Sequence, residues 1–300
     1  MTKKSEKTPN ALPQQALKSG LITLVGRSNV GKSTLLNTLI GTKLAAVTHK
    51  PQTTRSAIHG VLNRPEGQAV FIDTPGVLKG NRRPLTGKLL ENVTEALRDI
   101  DLVLYVVDPG KPVGPEERFT LSLLRQLTIP KLLVINKCDV PEIQQSYRDD
   151  YRALANEFTD VFELSALRNR HIQPLIAKVF ELLPPGEPLY PPEQITNMNK
   201  EMWVAEIIRE KIFLALRQEV PYSTHVEVTN IEAKPDVFVI TATIFTSERR
   251  YKQMIIGAGG RAIKEIGSAA RRELEQALNK KIFLELDVAI DHHWIDRIYT

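Results

Sequence analysis

Residues 26–33 read Gly26-Arg27-Ser28-Asn29-Val30-Gly31-Lys32-Ser33, between an apolar run at 21–25 and a helix-forming stretch at 34–40. The spacing is that of the phosphate-binding loop G-x-x-x-x-G-K-[ST], met here at every fixed position. Each fixed residue has a physical task. Glycines let backbone N–H groups turn inward around phosphate oxygens, and the N-terminus of the following helix adds a favourable dipole potential. Lys32 has the length to reach β- and γ-phosphates, and the Ser33 hydroxyl is a hard oxygen ligand suited to Mg2+. With Thr34 opening the helix, residues 26–34 are the expected cradle for a nucleoside triphosphate.

Outward from this loop, four more apolar runs follow at 69–72, 102–107, 131–135 and 161–164, separated by helix-length segments. Short apolar runs in that rhythm predict the buried strands of a doubly wound, mostly parallel α/β sheet. Such sheets bind ligands beyond the carboxyl ends of their strands. Polar residues stand at those ends here: Asp73, Asp108, Asn136 and Ser165. Asp73-Thr74-Pro75-Gly76 places a carboxylate for the magnesium shell and a Gly76 N–H for the γ-phosphate. Asn136-Lys137-Cys138-Asp139 resembles the N-K-x-D base-recognition element of GTPases, and Ser165-Ala166-Leu167 resembles their S-A-[KL] element.

Asp139 decides the base. Its carboxylate can accept hydrogen bonds from N1–H and the N2 amine of guanine. Adenine would set a lone pair against the charge, and an unpaired, partly buried charge costs on the order of 1–3 kcal/mol or more. Lys137 is expected along the base plane, Asn136 as a loop holder, and Cys138 as a turn residue. A switch segment is expected between the first helix and the second run, where Lys50-Pro51-Gln52-Thr53-Thr54-Arg55 lies. A hydroxyl there would join Ser33 and Asp73 in the magnesium shell while the γ-phosphate is present. Thr54 is favoured and Thr53 is the alternative. After Gly76 stands Val77, which cannot orient water as a glutamine would, so slow intrinsic hydrolysis is expected.

Composition sets the bounds. The 300 residues are enough for two domains, 42% are hydrophobic, and the net charge of +5 suits a polyanionic partner. The single cysteine, Cys138, excludes an internal disulfide and a multi-cysteine zinc site. No apolar run is long enough to span a bilayer. Residues 1–20 carry Lys3, Lys4 and Lys7 without an apolar signal core, and read as a flexible basic tail. Residues 21–183 form the nucleotide domain.

Residues 184–199 hold so many prolines that a stiff, extended linker is expected. From 200 to 300 the pattern changes to helix (201–216), strand (224–231), strand (237–245), a helical stretch (252–278) broken at 257–260, and a last strand (282–289). That order matches a smaller α+β domain of the type II KH class, with Gly257-Ala258-Gly259-Gly260 as its G-x-x-G loop. Such a loop clamps the sugar–phosphate backbone of unpaired nucleotides, and glycine permits the close approach. Its two middle positions here, Ala258 and Gly259, carry no charge, so phosphate attraction falls to Lys252, Arg261 and Lys264. Between Ser247 and Lys281 nine basic residues face four acidic ones, as electrostatic recognition of RNA requires.

These motifs, with Glu206-Ile207-Ile208-Arg209-Glu210-Lys211 and Glu219-Val220-Pro221-Tyr222-Ser223, make the chain from residue 21 onward resemble the Era family of GTPases. The resemblance implies a P-loop GTPase domain followed by a KH domain, Mg2+-dependent hydrolysis of GTP to GDP, and binding of 16S rRNA near its 3′ end. It also implies a part in maturation and assembly of the small ribosomal subunit. The expected chain is a cytoplasmic monomer, with any contact at the inner membrane face peripheral. In related GTPases with a hydrophobic residue at the position of Val77, the equivalent of Asn29 helps hold K+, so a K+ requirement is a further expectation. An RNA-binding factor with a purely structural nucleotide site, or a GTPase acting on tRNA or the large subunit, would share the first domain. Intact Lys32, Ser33 and Asp73 speak against the former, and the glycine loop at 257–260 against the latter.

Overall fold

The computed structural model describes residues 16–47, 58–73, 99–216 and 220–294. Its first half is a six-stranded sheet in the order β2-β3-β1-β4-β5-β6. The strands are β1 (Lys18–Val25), β2 (Ile58–Arg64), β3 (Gly67–Asp73), β4 (Leu102–Val107), β5 (Lys131–Ile135) and β6 (Asp160–Glu163). All pairs are parallel except β2–β3, an antiparallel hairpin. Every residue of β3 and β4 is buried, as strands covered on both faces must be.

Alternate residues of β4 feed two cores. Leu102, Leu104 and Val106 pack with Leu35, Leu36 and Leu39 of α1 (Lys32–Ile40) and with Ile172, Leu175 and Val179 of α4 (Ile172–Leu182). Val103, Tyr105 and Val107 pack with Leu121 and Leu124 of α2 (Pro115–Leu124) and Tyr151 of α3 (Arg148–Arg152). The chain reverses direction across the sheet between β1 and β4, and the crevice there is the place such folds bind ligands. Five of the six strands follow the apolar runs. β2 is additional to them: it lies at the sheet's edge, and only Ile58, Gly60 and Val61 of it are buried.

The second sheet has the order β7-β8-β9, from β7 (Thr224–Ala233), β8 (Val237–Thr246) and β9 (Lys281–Ile290). β7 and β8 are antiparallel, while β8 and β9 are parallel. One face is covered by α5 (Lys200–Ala215), α6 (Arg249–Ile256) and α7 (Arg261–Leu278), whose Ile207, Ile208, Ile255, Ile266, Ala270 and Leu274 meet Ile240, Ala242 and Ile244. Asn199 caps α5 by accepting from the Met202 N–H at 2.8 Å. Trp294 is buried and stacks on His225, so it is a packing residue.

The proline-rich segment differs from the expected spacer. It has no helix and little strand, yet it is docked along β2: Val61 N–H donates to Ile195 O at 2.9 Å and His59 N–H to Asn197 Oδ1 at 2.9 Å. Gln68, 1% exposed, accepts from the N–H groups of Leu189 and Tyr190 and donates to Tyr190 O, each at 2.8 Å. The reason lies in the sheet. Edge strand β2 offers unpaired backbone groups, and a proline-rich chain already held extended can take them up with little further loss of entropy.

Candidate nucleotide and RNA sites

The phosphate loop leaves β1 at Gly26, whose φ of 149° and missing side chain are both needed. A Cβ there would lie 2.2 Å from Val106 O, and one at Gly31 would lie 2.3 Å from the Asn136 amide nitrogen. Asn29 also takes the left-handed conformation, at φ 64°, with its side chain exposed beside half-buried Ser28. Lys32 Nζ donates to Gly26 O at 2.8 Å and Arg27 O at 2.9 Å, which draws the amine over the loop. Ser33 Oγ donates to Asp73 Oδ2 at 2.6 Å. Asp73 is only 1% exposed. A buried carboxylate meeting a hydroxyl at the mouth of a phosphate loop is the hard-oxygen donor set that Mg2+ takes.

Asn136, 2% exposed, braces two loops at once. Its amide donates to Val30 O at 2.9 Å, and its Oδ1 accepts from the Ala166 N–H at 3.0 Å. Lys137, at φ 62°, donates from Nζ to Asn29 O and to Asp108 Oδ2, both at 2.7 Å. Asp139 accepts from Ser165 Oγ at 2.5 Å, with Arg168 Nε at 3.9 Å. Leu167 is 72% exposed at the rim. Burial pushes the Cys138 thiol above its ordinary value, and its Sγ donates to Ile135 O, in keeping with a turn residue. The phosphate loop, Asn136-Lys137-Cys138-Asp139 and Ser165-Ala166-Leu167, separate in the sequence, therefore form one connected cup.

Several contributors escape a sequence reading. Asp108 stands out there only for its place after a strand, and it proves to be the partner of Lys137. Thr38, on α1, donates to Ala166 O at 2.8 Å, tying the base loop to the phosphate helix. Arg27 is engaged by Glu116 at 2.9 Å and Glu117 at 3.4 Å in the first turn of α2. Only proximity in space shows these pairings, since no sequence spacing encodes them. Thr53, Thr54, Thr74, Pro75 and Gly76, together with Val77, lie outside the described residues.

In the second half, α6 ends at Ile256 and α7 begins at Arg261, with φ values of 72°, 61° and 76° at Gly257, Gly259 and Gly260 between them. A Cβ at Gly257 would meet Ala262 Cβ at 2.8 Å, which excludes a side chain, while around Gly259 and Gly260 there is open space. A backbone phosphate can thus approach the loop closely. Exposed Arg261 and Lys264 and half-buried Lys252 flank it, with Ala258 exposed at its tip. Arg261 Nε donates to Ala258 O at 3.2 Å, which holds the guanidinium against the loop. Arg250 is partly engaged by Glu248 at 2.7 Å and lies over the Tyr251 ring.

With this geometry in hand, comparison with known proteins is direct. Residues 21–137 match the family model described as a 50S ribosome-binding GTPase, and residues 219–295 match the KH domain model. The chain is 38% identical over 282 residues to GTPase Era of Alkaliphilus metalliredigens, covering 92% of this chain and 95% of that one. It is 39% identical over 287 residues to GTPase Era of a Thermoanaerobacter species, covering 93% of both. This chain belongs to the Era family of GTPases. Its fold is similar to a crystal structure of Era in complex with MgGDPNP and nucleotides 1506–1542 of 16S ribosomal RNA. The TM-score is 0.81 at 35% identity, covering 94% of this chain and 96% of that one. A point variant of Aquifex aeolicus Era bound to GDP and AlF4− is also similar, with a TM-score of 0.81 at 34% identity and 94% and 96% coverage. As a member of the Era family, the chain joins a GTPase domain to a KH domain, as its motifs lead one to expect.

Proposed function

We propose that this Era-family GTPase is a GTP-driven switch that grips the single-stranded 3′ end of 16S rRNA and assists maturation and assembly of the small ribosomal subunit. One observation carries the reading: a nucleotide cup that includes Asp139 and an open glycine loop occur in one chain, along nearly the whole of which the fold follows that of an Era in complex with MgGDPNP and 16S rRNA nucleotides. In the cup, Asp139 reads N1–H and N2, Ser165 holds Asp139, and Ala166 and Leu167 border the base. Asn136 and Lys137 keep the base loop against the phosphate loop.

In hydrolysis a water oxygen bonds to the γ-phosphorus as the bond to the leaving GDP oxygen breaks, and negative charge gathers on the bridging and equatorial oxygens. Lys32 and the inward N–H groups of residues 26–34 are placed to meet that charge without reorganising. Ser33 and Asp73, with Thr54 or its alternative Thr53, would hold Mg2+, which would supply positive charge to meet the developing negative charge. The Gly76 N–H would contact the γ-phosphate, with Thr74 and Pro75 shaping that turn. Asn29, whose carbonyl is fixed by Lys137, would hold K+ beside the phosphates. Faster turnover in K+ than in Na+, lost in Asn29→Ala, is the expected result; equal rates in both salts would remove K+ from the account.

On the RNA side, Gly257, Ala258, Gly259 and Gly260 pass the backbone, and Lys252, Arg261 and Lys264 attract its phosphates. We place the protein in the cytoplasm as a monomer. Any membrane contact is read as peripheral, and no helix among the described residues is long and apolar enough to cross a bilayer. A large-subunit target is the second reading, prompted by the description of the matching GTPase model. Crosslinking to cellular RNA and sequencing the attached fragments separates the two. The 3′ end of 16S rRNA is expected, and recovery of large-subunit fragments alone would overturn the proposal.

A further inference from the structure

The expected switch segment, residues 50–55, lies outside the described residues, and the described chain on both sides of it contacts the C-terminal half. On the leaving side, β2 carries the docked segment described above, with Asn63 Nδ2 also donating to Pro192 O at 2.9 Å and His59 Nδ1 lying 2.7 Å from the Tyr190 hydroxyl. On the entering side, residues 43–47 are held by three groups of the KH half. The Trp203 indole N–H donates to Lys43 O at 2.8 Å. One oxygen of Glu210 pairs with Lys43 Nζ at 2.7 Å, and the other accepts from the Val47 N–H at 2.8 Å. Glu210 sits on α5 and is 3% exposed.

This carboxylate belongs to a larger cluster. Lys211 Nζ lies 2.9 Å from Glu210, and both Lys43 and Lys211 pair closely with Glu273 of α7. Burial pulls the Lys211 amine down, but its bonds to Glu273 and Glu210 outweigh that and hold it above its ordinary value. Burial likewise raises Glu273, yet Lys211 and Lys43 bring it below the usual carboxylate range. Both therefore stay charged. Helix α7 begins at Arg261, beside the glycine loop, and Glu273 lies twelve residues on, about 18 Å along the axis at 1.5 Å per residue. A stiff rod thus runs from the RNA clamp to the groups that hold residues 43–47.

We propose that Glu210 is a positioning residue for residues 43–47, and that the Lys43–Glu210–Lys211–Glu273 cluster is the physical route by which nucleotide state and RNA occupancy are felt by one another. The proposal rests on the functional reading above. Val47 is one hydrogen bond from a buried carboxylate shared with the clamp's helices, so any change at Val47 that follows the γ-phosphate would be met by Glu210. Linkage then makes the effect reciprocal: whatever factor GTP applies to RNA affinity, RNA applies to GTP affinity.

The test uses the full chain and a synthetic RNA spanning nucleotides 1506–1542 of 16S rRNA, the segment held by the Era of similar fold. RNA affinity is measured with a non-hydrolysable GTP analogue and with GDP, for wild type, Lys43→Ala, Glu210→Ala and Glu210→Gln. A wild-type ratio of about 5–150 is expected, as couplings of this kind give. In Lys43→Ala and Glu210→Ala it falls below about twofold, while GDP affinity itself stays near wild type. Glu210→Gln keeps an acceptor for the Val47 N–H and retains an intermediate ratio, which guards against misfolding of the alanine variant as the cause. Lys43→Ala and Glu210→Ala together lose no more than the worse single change, because both break one brace. Wild-type ratios in the variants, or a ratio near one in wild type with both ligands bound, overturn the route. A wild type that binds no RNA or no guanine nucleotide counts instead against the proposed function.

Discussion

Replacing Asn136 by alanine removes a brace without touching the group that chooses the base. The side chain makes two hydrogen bonds to backbone, at 2.9 and 3.0 Å, from a position that is 2% exposed. Two such bonds are worth about 0.5–1.5 kcal/mol each, and stranding the Val30 carbonyl and the Ala166 N–H raises the cost towards about 1–3 kcal/mol apiece. Taking the lower part of that range for both groups gives about 2–3 kcal/mol in total. If the loops must then be ordered by the ligand, GDP and GTP bind roughly 30–100-fold more weakly, at about 1.4 kcal/mol per tenfold. Titration with a fluorescent GDP, followed by competition with GTP and xanthosine triphosphate, measures both effects. The loss is equal for the two guanine nucleotides, and the preference for guanine over xanthine is unchanged. GDP affinity within about threefold of wild type, in a variant that unfolds cooperatively in urea, would refute the reasoning.

Asp139→Asn exchanges a carboxylate that accepts from guanine for an amide that can donate to the extra carbonyl of xanthine. Preference should pass from GTP to xanthosine triphosphate, and retained GTP selectivity in competition binding removes Asp139 from the base site. Replacing Gly257 and Gly260 together by Asp places side chains and negative charge in the phosphate path. RNA binding is lost in a filter assay while GDP affinity is kept. If Lys252, Arg261 and Lys264 each neutralise one phosphate, Arg261→Ala flattens the slope of log affinity against log salt by about 0.7; an unchanged slope means Arg261 does not touch phosphate. Burial holds the His59 imidazole below its ordinary 6.5. The unfolded chain then takes up the proton first, so this contribution to stability is fully present above 6.5 and is lost as pH falls through the lower folded value. Urea midpoints measured well above and about one unit below that ordinary value should differ less in His59→Gln than in wild type, and an equal difference rules His59 out.

Much of this is legible because phosphate chemistry demands particular residues at fixed spacing. Lys32, Ser33, Asp73, Asn136 and Asp139 stand at strand ends that apolar runs of buried strands announce. Residues that act across the fold are not legible. Asp108, Thr38 and Glu210 are ordinary polar side chains whose importance comes from a partner far away in sequence, such as Lys137, Ala166 or Val47. Strand β2 escapes because an edge strand has neither a continuous apolar run nor clean alternation. The proline-rich segment reads only as a stiff, extended linker: composition reveals that it cannot be helix, but not which exposed edge receives it.

The parallel pairing of β8 and β9 has a consequence for how the molecule is made. Parallel neighbours cannot be joined by a tight turn, so the chain must cross over, and α6, the glycine loop and α7 are that crossover. The clamp is therefore the middle of a connection whose far end is β9. Until Lys281–Ile290 has found β8, the sheet beneath the two helices lacks its third strand, and closing that long loop is a slow step relative to helix or hairpin formation. As the chain leaves the ribosome from its N-terminus, the nucleotide cup has all its strands well before the clamp has its last one. The molecule should thus be able to hold guanine nucleotide while still unable to grip RNA, and a chain ended before Lys281 should remain in that state.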